Sequence, residues 1–206
     1  MTVVELREKI PNDIFTVLEL HACLGDYCNK AAKVSLLLRR GDIVQIRRGL
    51  YTFAASLRRG MLASGVLANR SYGPSYVSED FALSFHGLIP EMPAVVTSIA
   101  MGRSRKFIND FGIFSYRYCR SKVYSMGVFA VGDGQNRFLI ATPEKAVFDK
   151  VFYDKRFDGN DPETYLLEDL RMDPDKLKEF DKQRLVLLAP FMRGRLRKLH
   201  QFLEAL

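Results

Sequence analysis

The chain has 206 residues, 48% of them hydrophobic and 27% charged, which is enough apolar material for a small module joined to a larger one. It has no run of roughly 18 to 20 apolar residues, and its N-terminus carries charges where a signal peptide is apolar. These features exclude a membrane span, so we expect a cytoplasmic protein with no membrane partner. The net charge of +7 comes from residues 1–141, because residues 142–206 hold 13 basic and 13 acidic side chains, and this positive charge suits a polyanionic partner.

The three cysteines, Cys23, Cys28 and Cys119, do not predict a disulfide framework or a metal site. Their number is odd, which does not fit a framework of disulfide pairs. A site that also uses His21 is an alternative, but small buried thiols are the simpler interpretation. We expect no metal and no cofactor.

The first 41 residues predict three short helices. Alternating charged and apolar residues indicate a first helix that ends before Pro11, and a second follows and stops at Gly25. Asp26 can cap the third helix, and Gly41 can end it. Its inward face is predicted from a repeat at helical spacing, formed by Tyr27, Ala31, Val34 and Leu38.

The sequence GDIVQIRRGLYTF follows directly and predicts a two-stranded hairpin. Ile43–Ile46 and Leu50–Phe53 are the strands, and Arg47-Arg48-Gly49 is the tip. Two helices joined by a tight turn and followed by such a hairpin have the order of a winged helix-turn-helix. We assign this module to residues 1–56.

Basic residues cluster on the third helix, at its exit and on the hairpin tip. On DNA, the exposed side of the helix is expected to contact base edges in the major groove through Asn29, Lys30, Lys33 and Ser35. The phosphates are expected to be held by Arg39, Arg40, Arg47 and Arg48. The alternative is an ordinary charged surface on a small domain that binds protein.

Residues 57–206 predict a larger α+β domain. Helices are expected over residues 57–70, after Ser78 and after Thr142, where a cap, a proline and an acid follow one another. Four β-rich runs lie after Pro93, and GDGQN forms a turn between two of them. The tail predicts three helices with breaks at Asp173-Pro174 and Pro190.

The β-rich section also carries six basic residues that form a candidate second basic face: Arg103, Arg105, Lys106, Arg117, Arg120 and Lys122. Solvated loops are the alternative interpretation. No catalytic motif is present, so we name no catalytic residue. The enzyme alternative, a nucleic-acid enzyme targeted by the winged helix, requires acids that cluster in space, such as Glu79, Asp80, Glu144 and Asp149.

Four stretches occur together in a recognisable order, namely RRGLYTF, YVSEDFALSFHGLIPEMP, GRSRKFINDFGIFSYRY and IATPEKAVFDKVFY. With them, residues 10 to 155 resemble the AbiE-type antitoxins of bacterial type IV toxin–antitoxin systems. The resemblance implies a winged helix that binds inverted repeats in its own promoter and represses transcription.

The same resemblance implies that the C-terminal domain counters a nucleotidyltransferase-like toxin without forming a stable complex. The second basic face then becomes a candidate antitoxic surface. Two copies are expected on an inverted repeat, either as monomers or as a weak dimer that pairs on DNA. A stand-alone regulator without a toxin remains an alternative.

Overall fold

A computed structural model describes residues 1–119 and 122–206. The N-terminal elements are α1 (Val3–Lys9), β1 (Ile14–Thr16), α2 (Val17–Cys23), α3 (Lys30–Arg39), β2 (Ile43–Arg47) and β3 (Leu50–Phe53). Thr2 and Thr16 each begin a helix through a capping box, in which the threonine and the glutamate three residues later satisfy each other's backbone N–H groups.

Helix α3 differs from its prediction in its start and in its inward face. The N-cap is Asn29, not Asp26. Val34 and Leu37 are the buried residues, whereas Tyr27 precedes the helix and is exposed, and Ala31 is exposed as well. The predicted inward stripe is therefore wrong at its first two positions, because Tyr27 lies before the helix and Ala31 lies on its exposed side.

The hairpin forms as predicted, with a shorter tip. Strands β1, β3 and β2 make an antiparallel sheet in that order, and Arg47 pairs with Leu50 beside an irregularity after Gln45. Only Arg48 and Gly49 remain in the turn. Gly49 has a φ of +80°, a conformation that favours glycine and explains its place at the tip.

The larger part of the chain is built on a second sheet of six strands. Its strands are β4 (Ser75–Val77), β5 (Val95–Ala100), β6 (Arg105–Asn109), β7 (Gly112–Tyr118), β8 (Val128–Val131) and β9 (Phe138–Ala141). They lie in the order β6-β7-β5-β4-β9-β8, and the sheet is mixed because β5 runs parallel to β7 and β4 parallel to β9. Helices α4 (Ser64–Ser71) and α5 (Glu79–Phe85) flank β4 in the chain.

The two faces of this sheet contact different helices. Strand β7 shows the division, since neighbouring residues of a strand point to opposite faces. Tyr116 donates its hydroxyl hydrogen bond to the Ala68 carbonyl of α4, whereas Arg117 contacts Glu79 at the start of α5. The N-terminal part lies on the α4 side, where Asn109 Nδ2 donates to the Ile46 carbonyl of the hairpin.

The C-terminal part is helical. Its helices are α6 (Pro143–Tyr153), α7 (Pro162–Thr164), α8 (Pro174–Lys178), α9 (Lys182–Leu188) and α10 (Arg195–Ala205), and α7 continues into a π turn over Tyr165–Asp169. Thr142 caps α6 and Pro143 occupies its first position, as predicted. The tail has one break more than predicted, because Asp181 caps a separate helix.

The architecture is thus mixed α+β, with sheets and C-terminal helices, as expected. No helix in the described ranges has both the length and the apolar composition needed to cross a membrane. The division into domains at residues 56 and 57 stays a prediction, and three N-terminal side chains, Ile14, Ile46 and Leu50, join the core of the larger part.

Candidate nucleic-acid interface

The start of α3 presents three of the predicted base-reading residues. Asn29 uses its side-chain oxygen to accept from the Ala32 N–H at 2.9 Å, so capping leaves only its amide nitrogen for a ligand. Lys30 is half-buried and Ser35 is exposed one turn further along. This end of the helix therefore offers one cation, one amide and one hydroxyl.

Lys33 is placed differently from its prediction. Its Nζ donates to the Met1 carbonyl oxygen at 2.9 Å and lies 5.7 Å from the centre of the Tyr27 ring. The side chain is half-buried between these groups. Contact with a base therefore requires that Lys33 first give up the Met1 carbonyl, which weakens its assignment as a base-reading residue.

The end of α3 and the hairpin tip carry the four arginines, and all four are exposed. Arg40 Nε lies 3.7 Å from Asp42 Oδ2, a long and solvated ion pair, and Arg47 reaches only the carbonyl of Arg48 at 3.4 Å. Within the described chain, no acidic side chain pairs with Arg39, Arg47 or Arg48. Their charge is available to a polyanion.

The hairpin that carries two of these arginines is fixed on both sides. The Val17 N–H donates to the Gly49 carbonyl at 2.9 Å, and Asn109 holds the Ile46 carbonyl at 2.9 Å. Burial raises the pKa of the nearby Tyr116 hydroxyl, and the Arg47 charge partly opposes that effect. Arg47 thus lies where the hairpin meets the larger sheet.

The predicted DNA-binding residues fall at three places along the chain, namely the start of α3, its end and the hairpin tip. Lys30 and Arg39 are separated by nine residues of helix, which is roughly 13 Å along its axis. The five residues of β2 then carry the chain roughly 16 Å to the tip at Arg48. Helix α3 packs against β2, so these two lengths do not add to one span.

The second group of basic residues is divided by the sheet. Arg103, Arg105 and Lys106 are exposed on or beside the edge strand β6. Arg105 pairs with Tyr116, so its side chain points to the α4 side, and its guanidinium lies 5.5 Å from the Tyr72 ring. Of the others, Arg120 lies outside the described residues, and Lys122 is exposed in a 3-10 turn.

Arg117 lies on the opposite face of the sheet from Arg105. Its Nε is 2.6 Å from Glu79 Oε1, and its guanidinium lies 5.1 Å from the Tyr153 ring. Burial raises the pKa of Glu79 to about 8, against the opposing effect of Arg117. The six residues predicted as one basic face therefore do not share a face.

The four acids of the enzyme alternative each contact a basic side chain. Asp149 pairs with the fully buried Lys145 and accepts hydrogen bonds from the Tyr76 and Ser78 hydroxyls. The remaining pairs are Glu79 with Arg117, Asp80 with Lys150, and Glu144 with Arg184 at 3.6 Å. Among described residues, no three His, Cys, Asp or Glu side chains are grouped to hold a metal ion.

Sequence reasoning missed the residue that joins the N-terminal part to the larger sheet. Asp13 is only 2% exposed, and its carboxylate accepts from Arg7 at 2.6 Å, from the Arg59 N–H at 3.1 Å and from Gln135 at 3.0 Å. Gln135 also accepts from the Asp13 N–H. The Asn-Asp pair at residues 12–13 resembles an ordinary turn, so no local signal distinguishes this role.

Comparison of the chain with protein-family models and with curated proteins gave no match. A functional conclusion therefore depends on the geometry and the charge of this chain.

Proposed function

We propose that the protein is a cytoplasmic, DNA-binding autorepressor whose N-terminal 56 residues form a winged helix. Helix α3 acts as the recognition helix and the β2–β3 hairpin as the wing. Two copies bind an inverted repeat, one on each half-site. The C-terminal part acts as the antitoxin of a type IV system, against a nucleotidyltransferase-like toxin.

One observation supports DNA binding most strongly, namely the exposed arginines without acidic partners on one helix and one hairpin. In the C-terminal part, by comparison, seven of the thirteen basic side chains contact a carboxylate, among them Lys145, Lys150 and Arg156. On α3 and the hairpin, Arg39 and Arg48 are exposed and have no acidic partner within the described ranges. Unpaired arginines on a helix and a β-hairpin tip are groups that bind phosphates.

The proposal is tested by removing one cation at a time and measuring duplex affinity. Arg48→Ala and Arg39→Ala should each weaken binding to every duplex by roughly three- to tenfold and lower the salt slope by about one unit. Arg193→Ala is the matched control, because Arg193 is an exposed arginine of the C-terminal part. Equal losses in all three variants would reduce the effect to net charge and contradict the proposed interface.

The antitoxin role is tested separately, with the reading frame next to the gene. If that frame encodes a nucleotidyltransferase that arrests growth, co-expression of this protein should restore growth. A variant with Arg39→Ala and Arg48→Ala should still restore it, because those residues belong to the DNA interface. Continued arrest with the intact protein would remove the antitoxin role and leave a stand-alone regulator.

A further inference from the structure

Strand β8 ends the order of the six-stranded sheet, and its inner side pairs with β9. The Thr142 N–H donates to the Gly127 carbonyl at 2.7 Å, which makes these two residues a hydrogen-bonded pair. Hydrogen-bonded and open pairs alternate along an antiparallel ladder. Phe129 therefore bonds to Ile140, whereas Val128 and Ala130 turn their N–H and C=O groups away from β9.

Strand β9 gives independent support for this alternation. The residues opposite Val128 and Ala130 are Ala141 and Leu139. The Leu139 N–H donates to Asn69 Oδ1 at 2.6 Å, and the Ala141 carbonyl lies 2.8 Å from His86 Nε2, so both point away from β8. In the part of the chain that the structure describes, nothing bonds the outward backbone groups of Val128 and Ala130.

This edge has no charge, unlike the opposite edge of the sheet. Strand β8 reads Val-Phe-Ala-Val, whereas β6 carries Arg105 and Lys106. Charges are a common means of preventing a sheet edge from pairing with another chain, and β8 lacks them. Apolar side chains are also exposed beside it, with Phe129 39%, Leu139 43% and Phe85 51% exposed.

We propose that β8 pairs with β8 of a second copy of this chain, antiparallel and about a two-fold axis. Each copy has a net charge of +7, so two copies approach most easily where neither presents charge. The unbonded N–H and C=O groups of Val128 and Ala130 define one register. In it, Val128 of each copy bonds to Ala130 of the other copy. Phe129 then faces Phe129 of the second copy, an aromatic cross-strand pair.

The pairing is expected to be weak. Four residues per strand and a few exposed side chains bury well under the roughly 800 Å² per partner of a stable complex. A dissociation constant of about 100 µM is the scale that such a contact supports. The dimer therefore forms at high concentration, or where another partner brings two copies together.

Cysteine cross-linking tests the register directly, in a Cys28→Ser background that removes the exposed native thiol. At the axis, the two Cα atoms of residue 129 lie about 4.5 Å apart, within the range of a disulfide. Phe129→Cys should form disulfide-linked dimers at least about tenfold faster than Ile108→Cys, an exposed apolar position on the other edge. Equal rates in the two variants would overturn the proposal.

Sedimentation equilibrium tests the reversible association. The average mass of the native chain should rise above the monomer mass of 23.6 kDa as the concentration approaches roughly 500 µM. Phe129→Lys places like charges on the axis and should remain monomeric, whereas Ile108→Lys should associate as the native chain does. A native chain that stays monomeric throughout would overturn the proposal. DNA plays no part in either test, so this result and the proposed function fail independently.

Discussion

At the scale of single residues, Asp13 has the most partners of any side chain at the junction between the N-terminal part and the larger sheet. It holds Arg7, whose side chain is almost fully buried, together with Gln135 and the backbone of Arg59. Asp13→Asn should lower the free energy of unfolding by about 3 kcal/mol, because it leaves Arg7 buried without its counter-charge. Urea denaturation measures the change.

Asp26→Asn is the matched control for this substitution. Asp26 is exposed, and the same change there should stay within about 0.5 kcal/mol of the native chain. If both variants unfold at the same urea concentration, Asp13 does not hold the junction.

Glu79 predicts a dependence of stability on pH. Burial raises its pKa from 4.5 to about 8, so between these values the folded chain holds a proton that the unfolded chain has released. The folded state therefore loses stability as the pH rises through this window, by roughly 1 kcal/mol per unit, and the loss ends above pH 8.

Glu79→Gln supplies the reference, since glutamine has a similar shape and no proton to lose. The difference in unfolding free energy between the native chain and this variant should change steadily from pH 5 to pH 8. A constant difference across that range would mean that Glu79 does not titrate in the folded protein as described.

At the scale of elements, the hairpin depends on its turn. Gly49→Ala places a side chain at a φ of +80° and should cost about 1 to 2 kcal/mol of unfolding free energy. Gly60→Ala is the control, because its φ is not in the left-handed region and a Cβ there meets nothing within 4 Å. Thermal unfolding of the two variants side by side measures the difference, and equal melting temperatures would contradict this account of the tip.

Element boundaries were predictable where the signal is local. Thr142 and Pro143 specify the start of α6 by themselves, and the glycine at the hairpin tip specifies its turn. The start of α3 could not be predicted from such a local signal. Asp26 and Asn29 are both good N-caps, and only the packing of the helix selects between them. The side of the sheet on which each arginine lies was equally hidden, since it changes with a register shift of one residue.

At the scale of the whole molecule, both apolar packing and hydrogen bonds fix the N-terminal part relative to the larger sheet. Two of the hydrogen-bonded contacts are Asp13 with Gln135 and Asn109 with the Ile46 carbonyl. Asn109 and Arg105 lie on the same face of β6, so the hairpin and the Arg105 end of that strand lie on one side of the protein. These contacts join residues 122 and 63 positions apart, and no local pattern in the sequence reports them.

The arrangement of charge over the molecule is what the proposed function depends on. Exposed arginines on α3 and the hairpin, without acidic partners in the described ranges, should bind a duplex in a salt-dependent way. Specificity for one sequence then requires α3 to contact base edges as well, and Lys30 and Ser35 are its exposed or half-buried candidates.

The most direct measurement compares the affinity of the protein for duplex DNA from upstream of its own gene with its affinity for a shuffled duplex, over a range of salt concentrations. The account predicts a preference for the upstream duplex of at least about a thousandfold at physiological salt. It also predicts a log–log salt slope of about −4 to −5, from four to six phosphate contacts. Equal affinity for the two duplexes, or a slope near zero, would contradict it.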